Sequence, residues 1–352
     1  MFLKSISLQN FRSYKKGEFS FSQNTTLVVG PNTSGKTNLI EAIYLLSTGE
    51  SFRVEKDESM VKFGEKLARV TGATEENELE AVVTNKDFGN GRSVKKYLVN
   101  GVSKRRADFM GHLPCVLFSP IDLEIITASP GLRRKFLDHI LTETDRDYRF
   151  LLTAYEKALR LRNAILHNIK ETGVRKEKEL EYWDELLIKN GKVITKKRDD
   201  LIGYFNTARK DVFDFVIFYD KSIISKERLL QYKDAEVGAG VTLVGPHRDD
   251  FFVSMFDDTL KTTHDMRFFG SRGQQRLAVL QLKILELSLV KQKVGDCLLV
   301  LDDIFSELDS GHIDLVLEMI LSQQTIITTT HKEFIPKGLL KTMDMIELTV
   351  DN

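Results

Sequence analysis

The chain has 352 residues, 42% hydrophobic and 29% charged, which allows a sizeable core in about two domains and excludes a disordered polymer. Six prolines and 22 glycines exclude collagen-like and proline-rich architectures, and 51 basic residues against 51 acidic ones leave no global signal for nucleic acid, so any such surface must be local. Two cysteines, Cys115 and Cys297, are too few for a disulfide framework or a structural zinc site and suit a reducing compartment. No run of about 18 apolar residues predicts a membrane span. The alternating N-terminus reads as a strand and not as a signal peptide, so a cytoplasmic protein is expected.

Residues 2–9 set Phe2, Ile6 and Leu8 against Lys4, Ser5 and Ser7, the alternation of a half-buried strand. TTLVV at 25–29 is a β-branched run ending at Gly30. NLIEAIYLLS at 38–47 then places Leu39, Ile43 and Leu46 on one helical face. Residues 67–99 read as a β-meander forming an antiparallel side sheet, with turn signals at Gly89-Asn90-Gly91 and Asn100-Gly101. A short helix and the strand CVLF follow within 105–118.

From 133 to 210 helical spacing repeats, with Gly173 and Gly191 as expected breaks. This stretch holds 19 Lys+Arg and 13 Asp+Glu, net +6, which leaves 32 minus 38, or −6, for the rest. It reads as a helical insertion more basic than its host. After Phe213 strands return: FDFVIFYD at 213–220, then TLVGPHRDDFFVSMF at 242–256 as strand, tight turn and strand. Residues 273–291 form a long helix, CLLVLDDIF at 297–305 a buried strand, IDLVLEMI at 313–320 a helix, and TIITTT at 325–330 and MIELTV at 345–350 further strands.

Gly30-Pro31-Asn32-Thr33-Ser34-Gly35-Lys36-Thr37 fits the phosphate-loop pattern G-x-x-x-x-G-K-[ST]. The glycines let backbone N–H groups turn inward on phosphates, Lys36 brings a point charge, and the Thr37 hydroxyl can ligate Mg²⁺. The setting between an apolar strand and an amphipathic helix is the one this chemistry requires. The strand at 298–301 ends in Asp302 and Asp303. Asp302 is placed to serve the metal and Asp303 to polarise the attacking water. Ser271-Arg272-Gly273 opens the long helix as an anion-binding end or as a capping box with Gln274, two readings that are compatible. His331, after TIITTT, is on its own more often a surface residue.

In this order the motifs resemble those of the SMC-type ATP-binding-cassette ATPases, within that group its recombination-repair members. The resemblance rests on NFRSY (10–14), the phosphate loop, YLVNGVSKRRADF (97–109), LFSPIDLEIITASPGLRRKFLD (117–138), TLVGPHRDDF (242–251), SRGQQRLAVLQLK (271–283) and LLVLDDIFSELD (298–309), and covers nearly the whole chain. It implies ATP and Mg²⁺ at Lys36, Thr37 and Asp302, and a water-polarising Asp303. Ser271 and Gly273 become signature contacts to the nucleotide of a second subunit, His331 the switch histidine, and Arg12 a further nucleotide contact. Thr33 departs from the pattern, standing where the group usually has glycine. The metal-contacting glutamine is also missing: Ser119 and Asp122 stand in that segment. The motif at 245–250 stays open between a tight turn whose Arg248 and aspartates pair with each other and a contact to DNA or a partner.

The expected fold is an α/β cassette ATPase lobe, a mixed sheet with helices and an antiparallel side sheet, plus an inserted helical lobe. Its parts are 1–130, the helical lobe at 131–212, and 213–352. The resemblance implies an ATP-dependent homodimer that binds gapped, junction, single- or double-stranded DNA in recombinational repair, replication restart and the SOS response. RecO and RecR are the implied partners, and slow, DNA-stimulated hydrolysis serves as a dimer switch. DNA candidates are Arg105-Arg106, Arg133-Arg134-Lys135 and Lys196-Lys197-Arg198. A transporter ATPase subunit is disfavoured by the 234 residues from Thr37 to Ser271, and a scaffold that binds ATP without useful hydrolysis is the other alternative.

Overall fold

The N-terminal alternation becomes β1 (Leu3–Phe11), which buries Leu3, Ile6, Leu8 and Phe11, in a computed structural model describing residues 2–54, 56–88, 91–174, 177–257, 261–306, 320, 322–335 and 337–349. A tight turn through Arg12 and Ser13 leads into β2 (Tyr14–Ser20), an edge strand too polar to be read from alternation. β3 (Thr25–Val29) is buried throughout, and α1 (Lys36–Thr48) follows the phosphate loop. The meander forms as expected: β4 (Leu67–Thr74), β5 (Glu78–Thr84) and β6 (Lys95–Val99), closed by β7 (Val102–Lys104). Asn100 and Gly101 carry φ of 51° and 76°, the twin positive angles of a two-residue hairpin turn, so Val99 pairs with Val102. The order β2-β1-β4-β5-β6-β7 is antiparallel throughout. The one-turn helix α2 (Arg106–Phe109) and β8 (Cys115–Phe118) complete the stretch.

The chain divides into two units: Met1–Asp122 with Glu286–Asn352, and the continuous Leu123–Leu285. The second contains α3 (Pro130–Thr144), α4 (Arg146–Thr172) and α5 (Glu177–Thr207). The Asp145 carboxylate caps α4 by accepting from the Asp147 and Tyr148 N–H groups, and Gly173 ends it in the left-handed region. Gly191 is not a break. It lies inside α5, where a Cβ would come within 2.7 Å of Ile224 and 3.2 Å of Pro246 and Tyr155. Its absent side chain serves packing.

This unit is larger than the helical lobe expected at 131–212, because the strands after it pack on the same helices. β9 (Val216–Asp220), β10 (Asp250–Asp257) and β11 (Thr262–Asp265) form an antiparallel sheet in the order β11-β10-β9, after the short helices α6 (Lys226–Gln231) and α7 (Lys233–Ala239). Phe251 of β10 packs on Phe136 of α3, which stacks on Phe205 of α5. α8 (Met266–Phe269) then leads to α9 (Arg272–Val294).

The first strand expected at 242–256 does not form: residues 242–244 are irregular, and a 3-10 turn at Pro246–Arg248 precedes β10. The reason lies in the motif at 245–250, whose acids pair with distant arginines and not with Arg248. Asp250 takes a bidentate contact from Arg133 (2.6 and 2.9 Å). Asp249, fully buried, accepts from Arg198 (3.2 Å), from the Ser222 N–H (2.7 Å) and from the Tyr219 hydroxyl. The His247 Nε2–H donates to the Thr242 carbonyl (3.1 Å), which leaves Nδ1 to accept from the Tyr155 hydroxyl (2.7 Å). Burial pushes the His247 pKa down to about 4, so this neutral form prevails at pH 7.

The same pairing removes two of the expected DNA contacts. Arg133 and Arg198 are only 2% and 3% exposed and bound to carboxylates, so neither offers its charge to a surface ligand. Lys197 meets Asp145, Arg105 meets Asp108, and Arg106 meets Glu50.

The returning chain adds β12 (Leu298–Asp302), β13 (Thr325–Thr329) and β14 (Asp344–Glu347) to the first unit. They join β3 and β8 in a parallel sheet ordered β14-β3-β13-β12-β8. All of it except the β14 edge is buried, hence the continuous apolar runs. Gln324 ties this sheet to the N-terminus: its Oε1 accepts from the Leu3 N–H, and its Nε2 donates to the Leu3 and Ser22 carbonyls, all at 2.8 Å. Cys115 of β8 and Cys297, directly before β12, are both buried thiols that form no disulfide. Cys115 lies opposite Leu298, which puts the two thiols on opposite faces. The helix expected at 313–320 and Glu307, Leu308 and Asp309 of the SELD segment fall outside the described residues, except for Ile320. No described helix is long and apolar enough to cross a membrane.

Candidate functional site

Three parallel strands end side by side in the first unit. Val29 of β3 is opposite Thr329 of β13, and Thr328 is opposite Asp302 of β12. Gly30, Asp302-Asp303 and His331 therefore leave the sheet at the same edge, the carboxyl end where α/β sheets bind ligands. The phosphate loop bridges from this edge to α1. Lys36, 7% exposed, folds over the loop and donates to the carbonyls of Gly30 (2.7 Å) and Pro31 (2.9 Å). Burial lowers its pKa, and the negative fields of Asp303 and Asp302 work the other way.

The loop fits an anion. Gly35 has φ of 98° and caps α1 with no side chain, so the first N–H groups of the helix keep their positive end open. A Cβ at Gly35 would lie 2.6 Å from the Tyr14 hydroxyl, which donates to the Gly35 carbonyl. Burial raises the Tyr14 pKa to about 12, which keeps that donor protonated. The Ser34 hydroxyl is buried and has no hydrogen-bond partner among the described residues. Such a group is costly unless a ligand completes it. Thr33 adopts φ of 71°, the angle that a glycine would take there more easily.

The acids at the strand end are held differently. Asp302 Oδ1 accepts from Thr328 (2.7 Å) and from Thr37 (3.3 Å). Burial raises its pKa, opposed by those two hydroxyls. Thr37 and Asp302 thus present converging oxygens, the donor type that a hard cation such as Mg²⁺ takes. Asp303 leaves the strand at φ of 52°, its N–H held by the Thr328 carbonyl and hydroxyl at 3.1 Å. The backbone turn sets it apart from the strand's alternation and beside the same lysine. His331 stands at the adjoining strand end, its side chain 59% exposed and its Nδ1 3.5 Å from Glu333. Ser119 and Asp122, in the segment without glutamine, hydrogen-bond to each other.

Arg12 is engaged by a residue that sequence reasoning missed. Glu41, fully buried one turn beyond Thr37 in α1, receives Arg12 Nε (2.7 Å) and Nη2 (2.5 Å) together with the Ser51 hydroxyl, and Arg53 lies 3.5 Å away. An acid within an apolar helical run was the available signal. Arg12 and Arg53 line a cavity of about 830 Å³ with Ser13, Asn38, Lys62 and Phe63, and Asn38 directly follows Thr37.

In the second unit Ser271 and Gly273 open α9. The Gln274 side chain accepts from the Ser271 N–H (2.8 Å), and the Ser271 hydroxyl accepts from the Gln274 N–H (3.2 Å), a reciprocal capping box. A Cβ at Gly273 would meet only the Ser271 hydroxyl, at 4.0 Å, so the fold itself does not demand glycine there.

Residues 2–349 match the RecF/RecN/SMC N-terminal domain family. The chain is 37% identical over 366 aligned positions to the DNA replication and repair protein RecF of Clostridium botulinum (strain Loch Maree / Type A3), covering 99% of this chain and 98% of that one. It is 35% identical to the protein of the same name from Agathobacter rectalis, covering 94% and 92%. A solved structure of the recombination mediator protein RecF-ATP in the RecFOR pathway superposes with a TM-score of 0.82 at 34% identity, covering 95% of this chain and 93% of that one.

Proposed function

The chain belongs to the RecF/RecN/SMC family, and from that premise we propose that it is a DNA-repair ATPase whose ATP-bound form is a homodimer. The observation that carries this reading is the convergence of Lys36, Thr37, Asp302 and Asp303 at one sheet edge beside an anion-ready loop. Lys36 and the loop N–H groups hold the phosphates, and Thr37 and Asp302 hold Mg²⁺, which when bound neutralises phosphate charge. Asp303 orients the attacking water and accepts its proton as the γ-phosphoryl group transfers. His331 adds a polar contact at the γ-phosphate, and the cavity beside Arg12 receives the nucleoside end. Slow, DNA-stimulated hydrolysis in the cytoplasm then times release from gapped or junction DNA. RecO and RecR join the clamp in recombinational repair, replication restart and the SOS response.

Asp303→Asn tests the chemistry. ATP affinity should stay within a few-fold of the parent while hydrolysis falls on the order of 10²-fold, the size typical of a lost general base. Binding is read by titration with a fluorescent ATP analogue and turnover by phosphate release. Parent-rate turnover would move the base to His331; parent-like binding with no turnover in either protein would leave the scaffold reading.

Ser271→Arg tests the dimer. ATP can promote association only by binding the dimer better than the monomer, and Gly273, with open space where its Cβ would be, leaves the start of α9 bare for a partner's phosphate. The variant should bind ATP normally as a monomer and lose both ATP-driven dimerisation and hydrolysis in sedimentation and phosphate-release assays. Mixed with Lys36→Ala chains it should regain part of the activity, since one composite site is then intact. If it dimerises with ATP as the parent does, Ser271 is a helix cap and nothing more.

A further inference from the structure

Of the five phenylalanines that the described residues leave exposed, four lie in the second unit, and three of these share one side of it: Phe218 (41%), Phe256 (56%) and Phe268 (77%). Strand alternation puts Phe218 and Phe256 there. On β10, Phe251 and Val253 face the core, so Phe252 and Phe256 point the other way. Register sets Phe218 opposite Phe252, with rings 5.3 Å apart and 16° from parallel. The Arg267 guanidinium lies 5.5 Å from the Phe252 ring and 5.4 Å from the Phe268 ring. Phe269 packs instead on His264 at 5.0 Å, and the register sets His264 opposite Met255, on the other face of the sheet. A ladder Phe218–Phe252–Arg267–Phe268 thus runs from β9 to α8, and α8 ends two residues before Ser271.

At about 200 Å² per ring, the three phenylalanines present roughly 350 Å² of aromatic surface to water. That is within the size at which a patch on a soluble protein is often functional, and somewhat under half of the ~800 Å² that each partner contributes to a stable interface. Charge argues against nucleic acid as the occupant of the ladder. Its own cation, Arg267, is held by Asp265 at 2.5 Å and has Asp250 at 3.8 Å, so that guanidinium is not free for a phosphodiester. Continuity argues for a second copy of this chain, since a surface that reaches Ser271 adjoins whatever Ser271 meets.

We propose that the Phe218–Phe252–Arg267–Phe268 surface, with Phe256, is covered by a second copy of this chain when ATP closes the dimer. This rests on the reading that Ser271 and Gly273 meet another subunit's nucleotide. The test is sedimentation velocity of the full chain and of a Phe256→Ser/Phe268→Ser double variant, with ATP and Mg²⁺ and with ADP. The variant's dimer dissociation constant in ATP should rise about tenfold or more, as loss of aromatic anchors does, while monomer ATP affinity stays at the parent value. A second readout is Phe268→Trp in a Trp183→Phe background, whose emission should shift to the blue on ATP addition and not when Lys36→Ala is added. Equal dimerisation of parent and double variant, with no emission shift, overturns the proposal and leaves the dimer reading standing. A variant that dimerises normally but loses affinity for gapped DNA overturns it in favour of a nucleic-acid face. A parent that stays monomeric in ATP removes the dimer reading, and the proposal with it.

Discussion

Arg198→Ala should cost about 3–5 kcal/mol, the penalty for leaving buried charge without its partner. Arg198 binds Asp138 with two nitrogens (2.9 and 2.8 Å), Asp249 at 3.2 Å and the Pro246 carbonyl at 2.7 Å. Burial works against its charge, and Asp138, with Tyr148, Tyr219 and Asp249, more than offsets it. Removing the guanidinium strands a fully buried carboxylate and frees the turn that precedes β10. Against a typical stability of roughly 5–15 kcal/mol, such a loss is large. Arg198→Lys should restore little, because an ammonium cannot make the forked contact. Lys196, two residues earlier and 71% exposed, pairs with Asp200 on the helix surface; Lys196→Ala should leave stability close to that of the parent. Urea unfolding of the three variants followed by circular dichroism separates these cases. A loss below about 1 kcal/mol for Arg198→Ala would mean that the cluster is solvated and not a clasp.

The second large effect belongs to Lys36. Lys36→Ala removes the donor that gathers the Gly30 and Pro31 carbonyls and, in the proposed site, the cation for the phosphates. Hydrolysis should fall on the order of 10²–10³-fold, as when one preorganised donor is deleted from a reacting centre, and ATP binding should weaken as well. Lys36→Arg keeps charge but cannot place a point donor between two carbonyls of a tight loop, so turnover should fall more than binding. Calorimetric titration with ATP and single-turnover phosphate release check both. Normal turnover in either variant would place the phosphate elsewhere.

The parts of the site that are local in sequence were legible as sequence. A strand, a glycine loop and a helix in immediate succession left little room for another reading, and five apolar residues running into Asp302-Asp303 announced a buried strand with an acidic end. What stayed hidden depends on residues far apart in the chain. Glu41 holds Arg12 across 29 positions, and Asp250 holds Arg133 across 117. No periodicity distinguishes a charge that finds such a partner from one that faces water. This is why Arg133 and Arg198 looked like surface and prove to be core. β2 was missed because an edge strand need not alternate, and Gly191 was misread because a close-packing glycine and a helix-breaking one look alike until the neighbour is known.

The order of strands also dictates when the protein can first bind nucleotide during its own synthesis. β3 is flanked by β13 and β14, so the strand that carries the phosphate loop has no partner in its sheet until residues 325–347 have been made. Gln324, bonded to Leu3, is equally late. The stretch Leu123–Leu285 is continuous and can complete its contacts while the first unit still waits. Closing a loop of some 300 residues costs only a little more entropy than closing a shorter one, because the cost grows with the logarithm of length. Its burden is time, since non-local parallel pairing is slow. A ribosome moving at about 5–20 residues per second therefore carries an unpaired, strongly apolar β3 for some 15 to 60 s. In that interval α1 and the antiparallel side sheet, which share a core with Val28 of β3, are the parts of its folded surroundings already made.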